Sequence, residues 1–127
     1  MVRILLLEPD ALLARTYRHA LKQVGYMVEV RPTAQAAIHA SDAQKPDVVV
    51  MELQLVAHSG IEFLYEFRSY ADWLSVPIII HTHVPPAEFA DARDLLMNEL
   101  GVREYLYKPQ TTLRQLLRSI NNLIAVQ

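Results

Sequence analysis

Length, composition and charge exclude several classes of protein. The chain has 127 residues, 52% of them hydrophobic, which suits one domain of ordinary size, predicted to span residues 1–127. Its 12 basic and 14 acidic side chains are scattered and give a net charge of −2, so we expect no direct contact with nucleic acid. The longest apolar runs are far shorter than the ~20 residues of a membrane-spanning helix. The chain contains no cysteine, so we expect no disulfides. A strand-like run directly after Met1 stands where a signal peptide would lie, so we expect a cytoplasmic protein.

Five short β-rich runs recur along the chain, and each precedes a longer segment with helical spacing. The runs lie at residues 2–7, 27–30, 48–51, 77–81 and 104–107. This alternation predicts a parallel sheet with helices on both faces. The first, third and fourth runs are almost continuously apolar, as is typical of central strands, whereas the second alternates and is predicted to lie at an edge.

Capping residues mark the first two helices. The first helix is predicted to begin at Asp10, whose carboxylate suits a helix N-cap better than a metal site. It is predicted to bury a stripe of apolar residues that ends with Val24, and Gly25 is expected to supply the left-handed residue after it. Thr33 marks the start of the second helix.

The remaining three helices also have sequence signals at their starts. Ser59 with Glu62, and Thr112 with Gln115, have the spacing of capping boxes and predict the third and the last helix. A Pro-Pro pair at residues 85–86 is expected to introduce the fourth helix.

Six candidate site residues follow the predicted strands at the sheet edge where parallel α/β folds bind ligands. These residues are Glu8 and Pro9 after the first strand, Glu52 after the third, Thr82 and His83 after the fourth, and Lys108 after the fifth.

Two segments resemble those of bacterial response-regulator receiver domains. Residues 46–55 resemble the phosphorylation-site segment except at the acceptor, because Glu52 stands where the family has aspartate. Residues 101–109 resemble the fifth-strand motif, with Tyr105 at the aromatic switch position and Lys108-Pro109 at the end. The resemblance spans the chain and implies an α/β, flavodoxin-like, doubly wound (βα)5 fold whose five-stranded parallel sheet has the order 2-1-3-4-5.

The same resemblance implies roles for residues around the acceptor position. Thr82 matches the hydroxyl that contacts a phosphoryl oxygen, and Lys108 matches the lysine that contacts the phosphoryl group. The peptide bond before Pro109 is expected to be cis, as in the family. His83 stands where the family usually has a small residue, so its imidazole is expected to narrow access to the site.

The family's Mg²⁺ site is altered in this sequence. Of the two adjacent acids that hold the ion in the family, only Glu8 is present, because Pro9 has no side-chain oxygen. Glu8, Glu52 and the backbone carbonyl of Gln54 would at best form a weak Mg²⁺ site, since the longer glutamate crowds the ion. We therefore expect no resident cofactor, and we expect Lys108 to pair with Glu52 or Glu8.

These departures predict a receiver-like signalling module that acts through protein–protein interaction, independently of Asp phosphorylation, and is not an enzyme. Its expected protein partners are a histidine kinase or a downstream effector.

Because residues 82–101 form a longer segment than is typical of the family, the fourth helix or its entry loop should be unusual. A homodimer through the fourth helix, fifth strand and fifth helix is also expected, with four candidate contacts. They are Leu95, Met97, Tyr107 and Arg114.

Three alternatives remain open from the sequence. The first is a Mg²⁺-dependent phosphoacceptor that a histidine kinase phosphorylates at Glu52 or another carboxylate. In the second, a Glu52–Lys108 pair imitates a phosphorylated aspartate and biases Thr82 and Tyr105 toward the active arrangement. The simpler interpretation of the same pair is that it only neutralises two buried charges. The third is a small flavodoxin-like domain that binds a cofactor, which the three glycines and the lack of a phosphate-cradling loop after the first strand disfavour.

Overall fold

Strands and helices alternate along the chain as the sequence predicts, in a computed structural model that describes residues 1–125. The strands are β1 (Arg3–Leu7), β2 (Met27–Arg31), β3 (Val48–Met51), β4 (Ile78–Thr82) and β5 (Val102–Tyr107). The α-helices are α1 (Ala11–Gln23), α2 (Ala34–Ala43), α3 (Gly60–Arg68) and α4 (Leu113–Ala125). Short 3₁₀ turns at Ala71–Trp73 and Lys108–Gln110 were not predicted. None of the described helices is long and apolar enough to cross a membrane.

The five strands form one parallel sheet in the order β2-β1-β3-β4-β5, which confirms the predicted topology. The apolar β1, β3 and β4 are central, and the alternating β2 lies at an edge. Leu7 pairs with Met51, and Met51 pairs with Ile80 two residues before β4 ends. The carboxyl ends of the central strands therefore meet at one edge of the sheet.

Two apolar cores cover the two faces of the sheet, because the central strands are buried on both sides. On one face Phe63, Phe67 and Trp73 form a continuous aromatic stack, with ring centroids 5.5 and 4.9 Å apart. On the other face α1 and α4 pack through residues such as Leu21 and Ile120. Burial of this kind contributes roughly 1.5–3 kcal/mol for each large apolar side chain.

The predicted caps of the first helix are confirmed at both ends, with one error in burial. The Asp10 carboxylate accepts hydrogen bonds from the backbone N–H groups of Leu12 and Leu13, at 3.0 and 3.1 Å. Gly25 has φ of +98°, a conformation that side chains disfavour. Val24 was expected in the buried stripe, but it is 50% exposed because α1 ends at Gln23 and the chain already turns toward β2.

Hydroxyl caps also begin the other helices. The hydroxyl of Ser59 accepts a hydrogen bond from the N–H of Glu62 at 3.1 Å. Thr112 and Gln115 form both bonds of a capping box, at 2.7 and 3.1 Å. The hydroxyl of Thr33 caps α2.

The predicted fourth helix is not a regular α-helix. Residues 86–99, called here the irregular segment, form a 3₁₀ stretch from Pro86 to Ala92 and a π-helical turn from Leu95 to Glu99. Phe89 interrupts the first stretch with non-helical φ and ψ of −113° and 16°. This confirms the expectation of an unusual fourth helix, since 3₁₀ and π geometry both depart from the spacing that a regular helix needs for packing.

The guanidinium of Arg68, at the end of α3, binds the backbone directly after the irregular segment and the backbone after α3. It donates hydrogen bonds to four backbone carbonyls, at distances of 2.7 to 3.3 Å. These carbonyls belong to Trp73, Leu74, Leu100 and Gly101. Gly101 has φ of +69°, and a Cβ added there would approach Nη2 of Arg68 to 3.0 Å.

Candidate functional site

Glu52 lies directly after β3, where the sheet holds it by its backbone. Its N–H donates to the carbonyl of Leu7 at 2.9 Å, which continues the ladder between β1 and β3. The side chain turns into the protein and Glu52 is only 3% exposed. An ionised carboxylate is costly to bury unless hydrogen-bond donors contact each of its oxygens. The donors around Glu52 therefore determine whether its carboxylate is free to react.

One carboxylate oxygen of Glu52 accepts three hydrogen bonds. The N–H of Leu53 donates to Oε2 at 2.7 Å and the N–H of Gln54 at 3.1 Å. The hydroxyl of Thr82, which is fully buried at the end of β4, donates to the same oxygen. Two backbone groups of the loop after β3 and one side chain of β4 therefore hold this oxygen.

The other oxygen of Glu52 accepts two more hydrogen bonds. The ammonium of Lys108 donates to Oε1 at 2.8 Å, and the backbone N–H of His83 donates at 3.2 Å. A carboxylate offers about four lone-pair sites, so five donors leave it no free acceptor site.

Lys108 lies between two buried carboxylates. Its Nζ is 2.6 Å from Oε1 of Glu8 and 2.8 Å from Oε1 of Glu52. The side chains of Lys108 and of each acid are 5% and 3% exposed. The sequence predicted a pair with Glu52 or Glu8, and the structure shows both.

The contacts of this cluster shift the pKa values of Glu52 and Lys108 in opposite directions. Burial alone would raise the pKa of Glu52, but hydrogen bonds from Lys108, Thr82 and the backbone of Gln54 lower it below its ordinary value. Burial alone would lower the pKa of Lys108, but the hydrogen bonds to Glu52 and Glu8 raise it. Both groups are therefore charged at neutral pH.

The residues that would hold Mg²⁺ in a receiver do not fit the ion as they are arranged here. Oε2 of Glu8 accepts the N–H of Asp10 at 3.1 Å, and its Oε1 accepts Lys108. Pro9 supplies no side-chain oxygen, and an oxygen of Asp10 caps α1. The Lys108 ammonium occupies the position between the two acids where a cation would bind. Within residues 1–125 no group of three or more His, Asp or Glu side chains is placed to hold a metal ion.

A chain of hydrogen bonds connects Glu52 to the surface. The hydroxyl of Thr82 donates to Glu52 and accepts the N–H of Val84 at 3.1 Å. The carbonyl of Val84 accepts the hydroxyl of Tyr105 at 2.8 Å. Tyr105 lies against Phe89 of the irregular segment, with ring centroids 6.3 Å apart. The buried carboxylate is thus linked to the irregular segment through three residues.

The conformation expected at Lys108-Pro109 is wrong. Residues 1–125 contain no cis peptide bond, so the bond before Pro109 is trans. Trans is the favoured isomer before proline by about 0.5–1 kcal/mol, and Lys108 reaches both acids from the trans backbone. Pro109 itself is exposed and opens the 3₁₀ turn at Lys108–Gln110.

The histidines occupy three different environments. The side chain of His83 is exposed beside the site, so its effect on access stays a prediction. His58 is also exposed and contacts Glu62 at 3.2 Å rather than the acids of the site. His81 is 3% exposed and packs edge-on against Tyr17, with ring centroids 5.0 Å apart. Burial, together with the charge of Lys108, lowers the pKa of His81 to about 4.

Sequence reasoning missed several backbone contributors to the site and the burial of one histidine near it. The backbone N–H groups of Leu53 and His83 bind Glu52, and no side-chain pattern reports a backbone donor. Val84 bridges Thr82 and Tyr105 with its backbone alone. His81 had a signal, because a polar residue at the end of an apolar strand is unusual.

The parallel sheet, with two acids, a hydroxyl and a lysine gathered at the carboxyl ends of its strands, has the architecture of a receiver-type signalling domain. The family model "Response regulator receiver domain" matches residues 4–121. The chain therefore belongs to the response-regulator receiver family.

Relatives and solved structures agree with this assignment. The KDP operon transcriptional regulatory protein KdpE of Escherichia coli (strain K12) is 29% identical over 109 residues, covering 86% of this chain and 45% of KdpE. This chain thus spans less than half the length of that relative.

Two receiver structures are similar along almost the whole chain. The non-phosphorylated HemR receiver domain from Leptospira biflexa has a TM-score of 0.84 and 27% identity, covering 100% of this chain and 97% of its own. The receiver domain of sensor histidine kinase PA1611 from Pseudomonas aeruginosa PAO1, with magnesium in its active-site cleft, has a TM-score of 0.81 and 25% identity and covers 98% of both chains.

Proposed function

We propose that this chain is a receiver module that signals through protein–protein contacts without phosphorylation of residue 52, and that it has no enzymatic activity of its own. The observation that carries the proposal is the saturation of Glu52, whose two oxygens accept five hydrogen bonds in a buried position. Its partners would be a histidine kinase or a downstream effector, in the cytoplasm.

The saturated carboxylate supports this proposal because phosphoryl transfer needs a free, aligned nucleophile. A displacement of about 1 Å can cost roughly a hundredfold in rate. To attack a phosphorus atom, an oxygen of Glu52 would have to leave Lys108 and His83, or Thr82 and two backbone N–H groups. The metal that normally neutralises developing charge would in turn have to displace the Lys108 ammonium.

Intact mass spectrometry tests the proposal. The native chain is incubated with acetyl phosphate and Mg²⁺, beside a metal-free sample and a Pro9→Asp, Glu52→Asp double variant. We expect no phosphate adduct on the native chain and a magnesium-dependent adduct on the double variant. A magnesium-dependent adduct on the native chain would refute phosphorylation independence.

A second candidate is the Mg²⁺-dependent phosphoacceptor. It is supported by family membership and by the magnesium in the PA1611 receiver. In that case Lys108 would release both acids when the ion binds. The mass measurement separates the two candidates, and peptide mapping of any adduct would identify the modified carboxylate.

The contacts of Glu52 also support a constitutive form of the first proposal. Thr82 and Lys108 are the two side chains that the family resemblance assigns to the phosphoryl group, and here both bind the carboxylate. Glu52 would then hold Thr82 and Tyr105 in one arrangement without any modification. A glutamate carries less charge than a phosphoryl group. The change in partner affinity caused by Glu52→Gln would measure how far the charge of Glu52 sustains this arrangement.

A further inference from the structure

The two helices that cover one face of the sheet carry basic residues and no acidic ones. Leu21 of α1 and Ile120 of α4 belong to the same apolar core, and the hydroxyl of Tyr26 donates a hydrogen bond to Asn121 of α4. Neither helix contains an aspartate or a glutamate. Together they contain five basic residues, which are Arg15, Arg18, Lys22, Arg114 and Arg118. This pair of helices is called here the basic layer.

The opposite face of the sheet is acidic. It is covered by α2, α3 and the irregular segment, which carry seven carboxylates against two arginines, Arg68 and Arg93. The carboxylates belong to Asp42, Glu62, Glu66, Glu88, Asp91, Asp94 and Glu99. The fold therefore separates charges that are scattered along the sequence, although the net charge of the whole chain is only −2.

The cations of the basic layer point into solvent. Those of α1 are three and four residues apart, with His19 among them, so they form one row along the helix. Arg114 and Arg118 are four residues apart and form a shorter row on α4. All of these side chains are exposed. A surface placed against this face would thus meet two rows of positive charge.

These cations have no partner that neutralises them inside the domain. Within residues 1–125 no carboxylate forms an ion pair with any of the five, whereas Arg3 and Arg31 both contact Glu29. Of the acids that border the layer, Asp10 caps α1 and Glu104 accepts a hydrogen bond from a side chain of α4 at 3.2 Å. The positive charge of the layer is therefore available to an anionic partner.

The apolar side chains exposed on the same layer distinguish between two kinds of anionic partner. Leu12, Val24 and Leu113 are 69, 50 and 37% exposed, and all three are aliphatic. In the described part of α1 and α4 no aromatic side chain is exposed, since Tyr17 is half-buried. Proteins that bind single-stranded nucleic acid stack bases on aromatic rings, whereas aliphatic side chains beside lysine and arginine are typical of lipid-binding surfaces. The exposed residues therefore favour lipid.

We propose that the basic layer binds the surface of a membrane that contains anionic phospholipids, with α1 lying along the headgroups and the acidic face turned away. The inference goes beyond the proposed function, because it adds a lipid surface to the protein partners and does not depend on Glu52. Three aliphatic side chains are too few to anchor the domain permanently, so the binding is reversible and is dominated by charge.

The separation of charge makes this attraction effective despite the negative net charge. Each lysine or arginine close to an anionic surface strengthens binding about fivefold. The interaction falls off over a Debye length of about 8 Å at physiological salt. A helix is about 10 Å across, and the sheet lies beyond it, so the acids of the opposite face are screened from a membrane in contact with α1.

Co-sedimentation of the native chain with lipid vesicles tests the proposal. One set of vesicles contains phosphatidylcholine and phosphatidylglycerol in equal parts, and the other contains phosphatidylcholine alone. We expect saturable binding to the anionic vesicles at low salt, weaker by about tenfold or more for the neutral ones, and progressive release as salt is added. Duplex and single-stranded DNA at the same phosphate concentration should bind more weakly than the anionic vesicles.

A matched pair of triple variants locates the surface. The first variant removes the row on α1 and is Arg15→Gln, Arg18→Gln, Lys22→Gln. The second removes three exposed cations outside the layer and is Lys45→Gln, Arg93→Gln, Arg103→Gln. Both variants lose the same charge, yet the first should bind anionic vesicles about a hundredfold more weakly and the second should change by less than about twofold. Circular dichroism checks that both are folded, and glutamine is a good helix former.

Four outcomes would overturn the proposal. They are no binding of the native chain to anionic vesicles, equal binding to neutral vesicles, equal binding by the two triple variants, and tighter binding to DNA than to anionic vesicles at equal phosphate. The last outcome would assign the basic layer to nucleic acid instead. Because these measurements use neither Mg²⁺ nor a phosphodonor, their failure is distinct from a failure of the proposed function, which is read from the mass of the chain.

Discussion

The cluster around Lys108 and the irregular segment lie on either side of Tyr105 and are built in opposite ways. In the cluster every carboxylate oxygen of Glu8 and Glu52 has a donor, and the side chains are almost inaccessible. In the irregular segment neither helical stretch has a side-chain cap at its start, and most residues are exposed. Buried charges require complete and specific partners, whereas an exposed segment can leave its turns irregular and its apolar surface open.

This difference shows where specificity and adaptability reside in the domain. The cluster depends on a specific cation, because removing the Lys108 ammonium leaves two buried carboxylates without their positive charge. The irregular segment has no comparable constraint between its ends. A fixed site thus adjoins an adaptable surface, and four measurements test this difference.

The largest effect is expected for Lys108→Met. The variant leaves two buried carboxylates without their cation, and removing one partner of a buried ion pair typically costs about 3–5 kcal/mol. Urea denaturation at neutral pH measures the loss in the free energy of unfolding. Lys45→Met, at an exposed lysine, should change it by less than about 0.5 kcal/mol. If Lys108→Met lowered the free energy of unfolding no more than the control does, the idea that the buried cluster depends on this cation would be wrong.

The next largest effect is expected in the pH dependence of the free energy of unfolding, because His81 is buried. Its pKa is about 4 in the folded protein against an ordinary 6.5, so the unfolded chain binds more protons between these values. The stability associated with neutral His81 is complete above pH 6.5 and is lost as pH falls toward 4. Between pH 7 and pH 4.5 the native chain should lose about 2–3 kcal/mol more than His81→Phe.

Chemical denaturation at a series of pH values measures this loss. His39→Phe, at an exposed position, controls for removal of a histidine in general. Parallel stability curves for the native chain and His81→Phe would contradict the expectation.

A smaller effect is expected for Asp10→Ala, which removes the cap of α1. The two backbone N–H groups that its carboxylate binds lose their partner, at a cost of about 1 kcal/mol. Thermal unfolding measures the change, with Asp42→Ala in the last turn of α2 as the exposed control. Equal stability of the two variants would argue against a capping role.

An effect on stability no larger than about that of Asp10→Ala is expected for Tyr105→Phe. It removes the hydrogen bond to the carbonyl of Val84 and should cost about 0.5–1.5 kcal/mol. Tyr65→Phe, at a tyrosine that is 54% exposed, is the matched control. NMR shifts that spread from Tyr105 both to Thr82 and to Phe89 would show that the two regions are connected, whereas shifts confined to one side would show that they are independent.

Sequence patterns predicted most of the architecture because burial imposes them. Continuous apolar runs identified the central strands, the alternation in β2 identified an edge, and hydroxyl or carboxylate residues marked the helix starts. The residues gathered at the site were also predictable, since strand ends of a parallel sheet converge. Glu52, Thr82 and Lys108 lie at the carboxyl ends of three different strands and meet within hydrogen-bonding distance.

Other features depended on interactions that a pattern of side chains does not contain. The donors from Leu53 and His83 are backbone groups, and the side-chain pattern does not distinguish the 3₁₀ and π-helical turns of the irregular segment from a regular helix. The isomer before Pro109 was expected from resemblance, although the two isomers differ by only about 0.5–1 kcal/mol. The length of residues 82–101 did indicate an unusual fourth helix, but not how it departs from regularity.

Arg68 has a consequence for how receivers of this kind could diversify. Its guanidinium recognises only main-chain carbonyls, which every amino acid possesses, so the exposed residue at 74 can vary without releasing the tether, whereas Trp73 and Leu100 are kept by their place in the core. Gly101 is kept as well, because of its φ of +69° and its closeness to the guanidinium. The exposed side chains of the irregular segment could therefore change in charge and shape while one arginine keeps the backbone that follows the segment fixed to the end of α3.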